Sequence, residues 1–239
     1  MLQNVACIAL RTVRHNDKQN LLSVWSRQVG RLTLTMPAGA GREATRRRAL
    51  TRPFYCFEGV VDIRPGREIF SMRDLRPFGP VASAKMAVIK DMVGIFIAEV
   101  LDIILRQAAP DNDLSDFLFE AAEILHEAEA EEVLSYFPPV FLLRLTNHLG
   151  VGPDLESSGN VFDLREGRFR TALPVHRDIL DGTEADDLRK LGLHSFSSAP
   201  ALNWNRARRN ATLDALLRYL SIHITPLTSL HSLATLREW

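Results

Sequence analysis

Three sets of side chains in this sequence have types and spacings that support chemistry: acids near residue 60, scattered histidines, and a run of arginines. Glu58 and Asp62 lie four apart in an apolar-rich stretch, and with Glu68 they form a donor set of the kind a two-metal nuclease needs. The structural reading is preferred, because a strand with one face in a core must carry polar residues on the other. His15, His126, His148, His176, His194, His223 and His231 form no H-E-x-x-H or H-x-x-E-H pattern, and no serine sits in a G-x-S-x-G turn. "AGAG" at Ala38–Gly41 lacks the lysine and hydroxyl of a phosphate loop. The expectation is a binding protein, not an enzyme, with no catalytic residue, no metal and no cofactor.

The arginines carry the positive case. Arg42, Arg46, Arg47, Arg48 and Arg52 fall within eleven residues, and Arg11, Arg14, Lys18, Arg27 and Arg31 precede them as a broader basic field. A solvated loop and a nuclear signal are the competing readings of the run. "EATRRRAL" has good helix propensity and is expected to form one or two turns. Trp25 and Phe54, nearby, are either base-stacking platforms or core. A second cluster, Arg206, Arg208 and Arg209, precedes an apolar-periodic segment. A helix start disfavours cations, so a DNA or partner role there weighs about equally with chance.

The formal net charge is zero, yet residues 1–80 hold fourteen Lys and Arg against six Asp and Glu, and residues 81–239 hold fifteen against twenty-three. A module of +8 is thus joined to one of −8. A phosphate backbone is attracted to the first by counterion release, without regard to sequence. The second suits protein partners.

The elements that must position these residues change character once along the chain. Residues 1–80 read as five strands: Val5 to Val13, Leu21 to Ser26, Arg31 to Pro37, "FYCFEGVVDI" and "EIFSM". Leu32, Leu34 and Met36 alternate with Arg31, Thr33 and Thr35, a half-buried antiparallel pattern. Five strands in this length suit a small closed barrel of the OB type, with an SH3-like barrel as the alternative. "PFGP" at Pro77 to Pro80 ends that regime. Met86, Ile89, Val93, Phe96, Ile97, Val100 and Ile104 then recur at helical spacing, and Leu114, Phe117, Leu118 and Leu125 continue it. Pro138 and Pro139 are expected to break the pattern before a helix closed by Gly150. "NVFDLREGRFRTA" reads as a hairpin around "REG", and Thr183 with Asp186 as a capping box. "NATLDALLRYLSIHI" is a last substantial helix with Leu213, Leu216, Leu217 and Leu220 on its apolar face.

Composition excludes other classes. The chain of 239 residues, 46% apolar and 24% charged, is folded and long enough for two modest domains. Cys7 and Cys56 are its only cysteines, which excludes a disulfide framework and a four-cysteine zinc site, and they are expected to pack in a core. No signal peptide is visible. The most apolar window, Met92 to Leu105, is shorter than the ~20 residues of a spanning helix and carries Glu99 and Asp102. The expectation is a cytoplasmic protein with no membrane partner.

Cys7 to Leu10, Asn16 to Lys18, Leu21 to Trp25, Gly30 to Leu32 and Ala38 to Arg42 supply, in order, a strand, a polar turn, a second strand, G-R-L and a glycine-rich loop. That order resembles the opening of the RecO family of bacterial recombination mediators. Leu50, Pro53 and Phe54 match its next segment; Phe141 to Leu155, "LLRYLSIHI" and "LTSLHSLATL" resemble later ones. The evidence is collinearity over nearly the full length. The resemblance implies an α+β chain: an N-terminal five-stranded OB-fold barrel at 1–79, then an α-helical domain at 80–239 with a small hairpin insert at about 152–200. It also implies binding to single- and double-stranded DNA, ATP-independent annealing, partnership with RecR and with the acidic tail of the single-stranded-DNA-binding protein, and help in loading RecA. The chain departs from the family in two places. The four cysteines that hold zinc in many members are missing, so the hairpin is expected to be held by Val161, Phe162, Leu164 and Phe169. The family's Gly-Ala-Arg loop is altered, reading Gly39, Ala40, Gly41, Arg42. A sequence-tolerant RNA-binding module is the first alternative, and a metal-dependent nuclease using Glu58 and Asp62 the second.

Overall fold

The computed structural model describes residues 1–79 and 84–239. Five strands form first: β1 (Leu2–Arg14), β2 (Gln19–Ser26), β3 (Gly30–Pro37), β4 (Cys56–Asp62) and β5 (Ile69–Pro77). They close into a barrel in the order β1-β2-β3-β5-β4, with β4 returning to β1 and β3 meeting β5 in parallel over Thr33–Thr35 and Ile69–Ser71. Period-two alternation dictates what fills it. Val5, Cys7, Leu22, Val24, Leu32, Leu34, Met36, Phe57, Val61, Phe70 and Met72 point inward and pack as one cluster. Each expected strand forms, and the fifth runs five residues beyond "EIFSM". Pro80, the last residue of the expected "PFGP" punctuation, lies outside the described residues.

The arginine-rich insert folds as α1 (Arg42–Leu50) between β3 and β4. Good helix formers, Glu43 in the first turn and Arg47 and Arg48 in the last suit the helix dipole, and Glu43 pairs with Arg47 one turn on. Two longer helices follow: α2 (Ala87–Ile104), continued by a 3-10 turn at Leu105–Gln107, and α3 (Asn112–Glu127). Asp111 caps α3 by accepting from the Leu114 N–H at 2.8 Å. The helices cover one side of the barrel, so Ala6, Ile8 and Trp25 on its outer face are buried too, and the Trp25 indole donates to Ser115 Oγ. Trp25 and Phe54 are fully buried, which removes them as stacking platforms.

The chain divides into two compact units, 1–127 and 128–239. The end of the strand regime at Pro77 is therefore not the end of the packing unit, because α2 and α3 belong with the barrel. The charge division changes accordingly. Those two helices and their links bring three cations and nine acids, so the first unit carries +2 and the second −2.

The second unit contains α4 (Glu131–His148), β6 (Val161–Asp163), β7 (Arg168–Arg170), β8 (Ile179–Leu180), α5 (Gly182–Gly192), α6 (Arg206–His223) and α7 (Ser232–Glu238). Contrary to expectation, α4 runs straight through Pro138 and Pro139. A proline there removes a backbone bond and crowds the preceding turn, but Leu134, Phe137, Val140, Phe141, Leu142 and Leu145 are buried around it and offset that cost. Gly150, at φ +72°, closes α4 as expected: its N–H reaches the Asn147 carbonyl and that of Val151 reaches Thr146. The β6–β7 hairpin forms as expected, and β8 adds a strand the sequence did not reveal. The expected capping box at Thr183 is absent: the cap falls two residues earlier, at Asp181, with no side-chain bond. Leu213, Leu216, Leu217 and Leu220 of α6 are all buried. No described helix is long and apolar enough to cross a membrane.

Candidate nucleic-acid interface

The five arginines of the insert do not form one free patch. Arg42 opens α1, is exposed, and has no polar partner among the described residues. Arg46 donates to the Leu75 carbonyl at 3.1 Å and Arg47 to that of Met72 at 3.4 Å, so both strap α1 to β5. The need is plain, because Ala44 is the only buried residue of α1 and an apolar stripe is lacking. Arg48 closes the loop behind it through the Gly39 carbonyl at 2.6 Å. Glu43 lies against Arg47 and Arg46, which hold its carboxyl below the usual range.

Arg52, Arg31 and Arg27 turn toward the acids of the neighbouring helices. Arg52 meets Asp91 of α2 at 2.9 Å, with its guanidinium 4.0 Å above the Tyr55 ring. Arg31 reaches the Asp102 carboxylate at 2.5 Å and the Asp102 carbonyl at 3.0 Å, and only 6% of that acid's side chain is exposed. Arg27 pairs with Asp116 of α3 at 3.0 Å and lies over Phe119. Much of the charge contrast along the chain thus serves to dock barrel and helices within one unit. Arg11, 60% exposed, lies 3.9 Å from Asp102; Arg14 pairs with Asp17 in the β1–β2 turn; Lys18 is exposed with no polar side-chain partner among the described residues.

What stays open is the rest of the barrel's outer face. The register aligns Arg11, Ser23, Thr33 and Ile69 in one row across β1, β2, β3 and β5, and Val13, Leu21, Thr35 and Ser71 in the next. Thr35 and Ser71 share a hydrogen bond at 2.9 Å. Cations flank this hydroxyl-bearing face: Arg14 at the end of β1, Lys18 in the β1–β2 turn, Arg64 and Arg67 in the β4–β5 turn, and Arg73 on β5. The last three were not singled out from the sequence. The signal was present, since a small barrel of this type presents its second and third strands with these two turns, but assigning them required knowing which strands leave the face uncovered.

Of the acids weighed as a nuclease set, Glu58 and Asp62 are tied to cations. Glu58 meets Arg76 at 2.7 Å, and Asp62 meets Arg64 and the terminal ammonium, Arg64 foremost, which hold its pKa at about 2. In the second unit, Arg208 is bonded to the buried Asp187, Arg206 to the Glu238 carbonyl and Arg209 to that of Trp204. Asn205 caps α6 through the Arg208 N–H at 3.0 Å, which explains a helix start rich in cations. The hairpin is held by the four apolar residues expected, all buried, and by a staple the sequence did not disclose. Arg189 lies 3.6 Å over the Phe169 ring and donates to the carbonyls of Ser157 and Gly159 at 3.2 and 3.1 Å. Asp163, buried, accepts from the N–H groups of Arg165 and Glu166.

A closed five-stranded barrel of OB type followed by a helical region defines an OB-fold protein with a helical second part. The family model described as recombination protein O, C terminal, matches residues 90–233. The chain belongs to the recombination protein O family. It is 27% identical to the DNA repair protein RecO of Bacteroides fragilis, over all of this chain and 99% of that one. It is 26% identical to the RecO of Phocaeicola vulgatus over the same shares, and 26% to that of Porphyromonas gingivalis over 92% and 91%.

Proposed function

We propose that this chain acts in DNA repair and recombination as a non-enzymatic mediator, binding single- and double-stranded DNA on the open outer face of its barrel. Phosphates would lie against Arg11, Arg14, Lys18, Arg42, Arg64, Arg67 and Arg73, with the Ser23, Thr33, Thr35 and Ser71 hydroxyls available to phosphate and sugar oxygens. Arg46, Arg47 and Arg48 contribute to the field beside Arg42 while their side chains hold α1 in place. Annealing follows physically: two strands neutralised on one cationic surface repel each other less and meet more often, without ATP.

Membership of the recombination protein O family carries the reading. It extends to helping RecA onto DNA coated by the single-stranded-DNA-binding protein, with RecR as partner. An annealing assay on complementary strands coated with the cognate single-strand-binding protein tests ligand and partner together. Acceleration without ATP is expected. Acceleration on naked strands that disappears on coated ones would remove the partner, and failure on both would remove the function.

A further inference from the structure

The first unit holds a cleft of about 730 Å³ between the C-terminal end of α1, the end of β5 and one side of α3. Its size is that of a ligand site, but its shape follows a helix. The α3 residues on its wall run from Asp116 to His126, ten residues apart, or roughly 15 Å of helix rise. The floor is apolar, with Leu50, Tyr55, Cys56, Phe78, Phe119 and Ala122. An elongated apolar trough suits consecutive side chains of a peptide better than one compact molecule.

Charge selects among peptides. Both cations that line the cleft are already matched within the unit, Arg52 by Asp91 and Arg27 by Asp116. Glu120 and Glu123, on the α3 wall, are exposed and have no polar partner among the described residues. Their charge reaches the floor: burial foremost, and then the Glu123 carboxylate, push the Cys56 thiol up to about 12. The cleft therefore carries two uncompensated negative charges beside apolar surface. Phosphate would be repelled there, and an acidic peptide likewise.

We propose that this cleft is a docking site for a protein segment that forms an amphipathic helix, with bulky apolar side chains along one face and lysine or arginine flanking it. The apolar residues fill the trough over Phe78 and Phe119, and the basic ones meet Glu120 and Glu123. The surface is distinct from the open barrel face, so partner and DNA can occupy the unit together.

The probe is a fluorescein-labelled amphipathic peptide of leucine, alanine and lysine, measured by anisotropy against the full chain beside the same peptide with glutamate at every lysine. The lysine peptide should bind at least about tenfold tighter, and the double variant Glu120→Lys with Glu123→Lys should reverse that order. Both positions are exposed, so folding should be unaffected. Ala49→Trp, on the exposed α1 rim of the cleft, should weaken binding without changing the charge preference. A photoreactive leucine in the peptide should cross-link within 116–126 or to Phe78. Equal affinity for the two peptides, no binding of either, or cross-links confined to the second unit would overturn the proposal. Displacement by an oligothymidine would also overturn it, by making the cleft a nucleic-acid site.

Discussion

The contact between Arg31 and Asp102 separates the two roles an arginine on this barrel can have. Asp102 is almost fully enclosed, and Arg31 is its nearest cation, bonded to both its carboxylate and its carbonyl. Replacing Arg31 by methionine keeps the aliphatic stem and leaves the enclosed carboxylate with only the exposed Arg11, 3.9 Å away. Removing one partner of a buried pair costs about 3–5 kcal/mol, and the 19% exposure of Arg31 argues for the lower end, about 3 kcal/mol. For a unit of this size that is a drop of about 10 °C in Tm. Trp25 is the only tryptophan of the first unit and is fully buried. Urea unfolding followed by its fluorescence, with Trp204 and Trp239 changed to phenylalanine, reports on that unit alone. Asp102→Asn should cost less, because the freed guanidinium can turn to water. The double variant should cost less than the two singles added, since both charges leave together. Under conditions where the variant stays folded, the salt dependence of single-strand binding should match that of the parent chain. An Arg31→Met protein of unchanged stability whose log-log salt slope fell by about 0.7 would refute the reasoning and return Arg31 to the phosphate-binding set.

Lys18→Gln, Arg42→Gln and Arg73→Gln, none of which disturbs an internal ion pair, should each reduce that slope by about 0.7 with stability unchanged. Burial above all holds His126 below its ordinary pKa of 6.5, against the pull of the Phe54 carbonyl. The unfolded chain then binds the extra proton first, so this contribution is full above pH 6.5 and lost as pH falls below it. His126→Gln should flatten that acid limb in urea titrations. Arg189→Met should destabilise the second unit by about 2–3 kcal/mol in calorimetry and leave DNA affinity alone. Gly159→Ala should be severe: φ is +137° there, and a Cβ would meet the Arg170 backbone at 2.2 Å. Loss of less than about 1 kcal/mol would show that the hairpin tolerates rearrangement.

The barrel was legible because alternation is a local signal: Leu32, Leu34 and Met36 mark one face of β3 whatever surrounds it. The α2 stripe was legible for the same reason, and Val93, Phe96, Ile97 and Val100 are fully buried. Pro138 and Pro139 misled because a local rule about broken hydrogen bonds was outweighed by burial on nearly every side of α4. Charge misled in a different way. The totals placed arginines on the barrel and acids on the helices, but only the fold shows that Asp91, Asp102 and Asp116 are the partners of Arg52, Arg31 and Arg27. Composition counts charges without pairing them. Lys18, Arg42 and Arg73 have no ion-pair partner among the described residues; the sequence announced Arg42 in the arginine run and Lys18 in the basic field before it, whereas Arg73 stands apart on β5 and no run announced it.

The packing of α2 and α3 onto the strands bears on how this molecule can be dissected. A fragment ended at residue 79, where the strand pattern stops, would lose the carboxylates that occupy Arg27, Arg31 and Arg52 and would unmask three guanidinium groups together with Ala6, Ile8 and Trp25. Such a piece would be sticky and would grip polyanions harder than its parent does. Affinities measured on it would overstate the native interface, whereas a cut after Glu127 keeps those neutralising contacts intact.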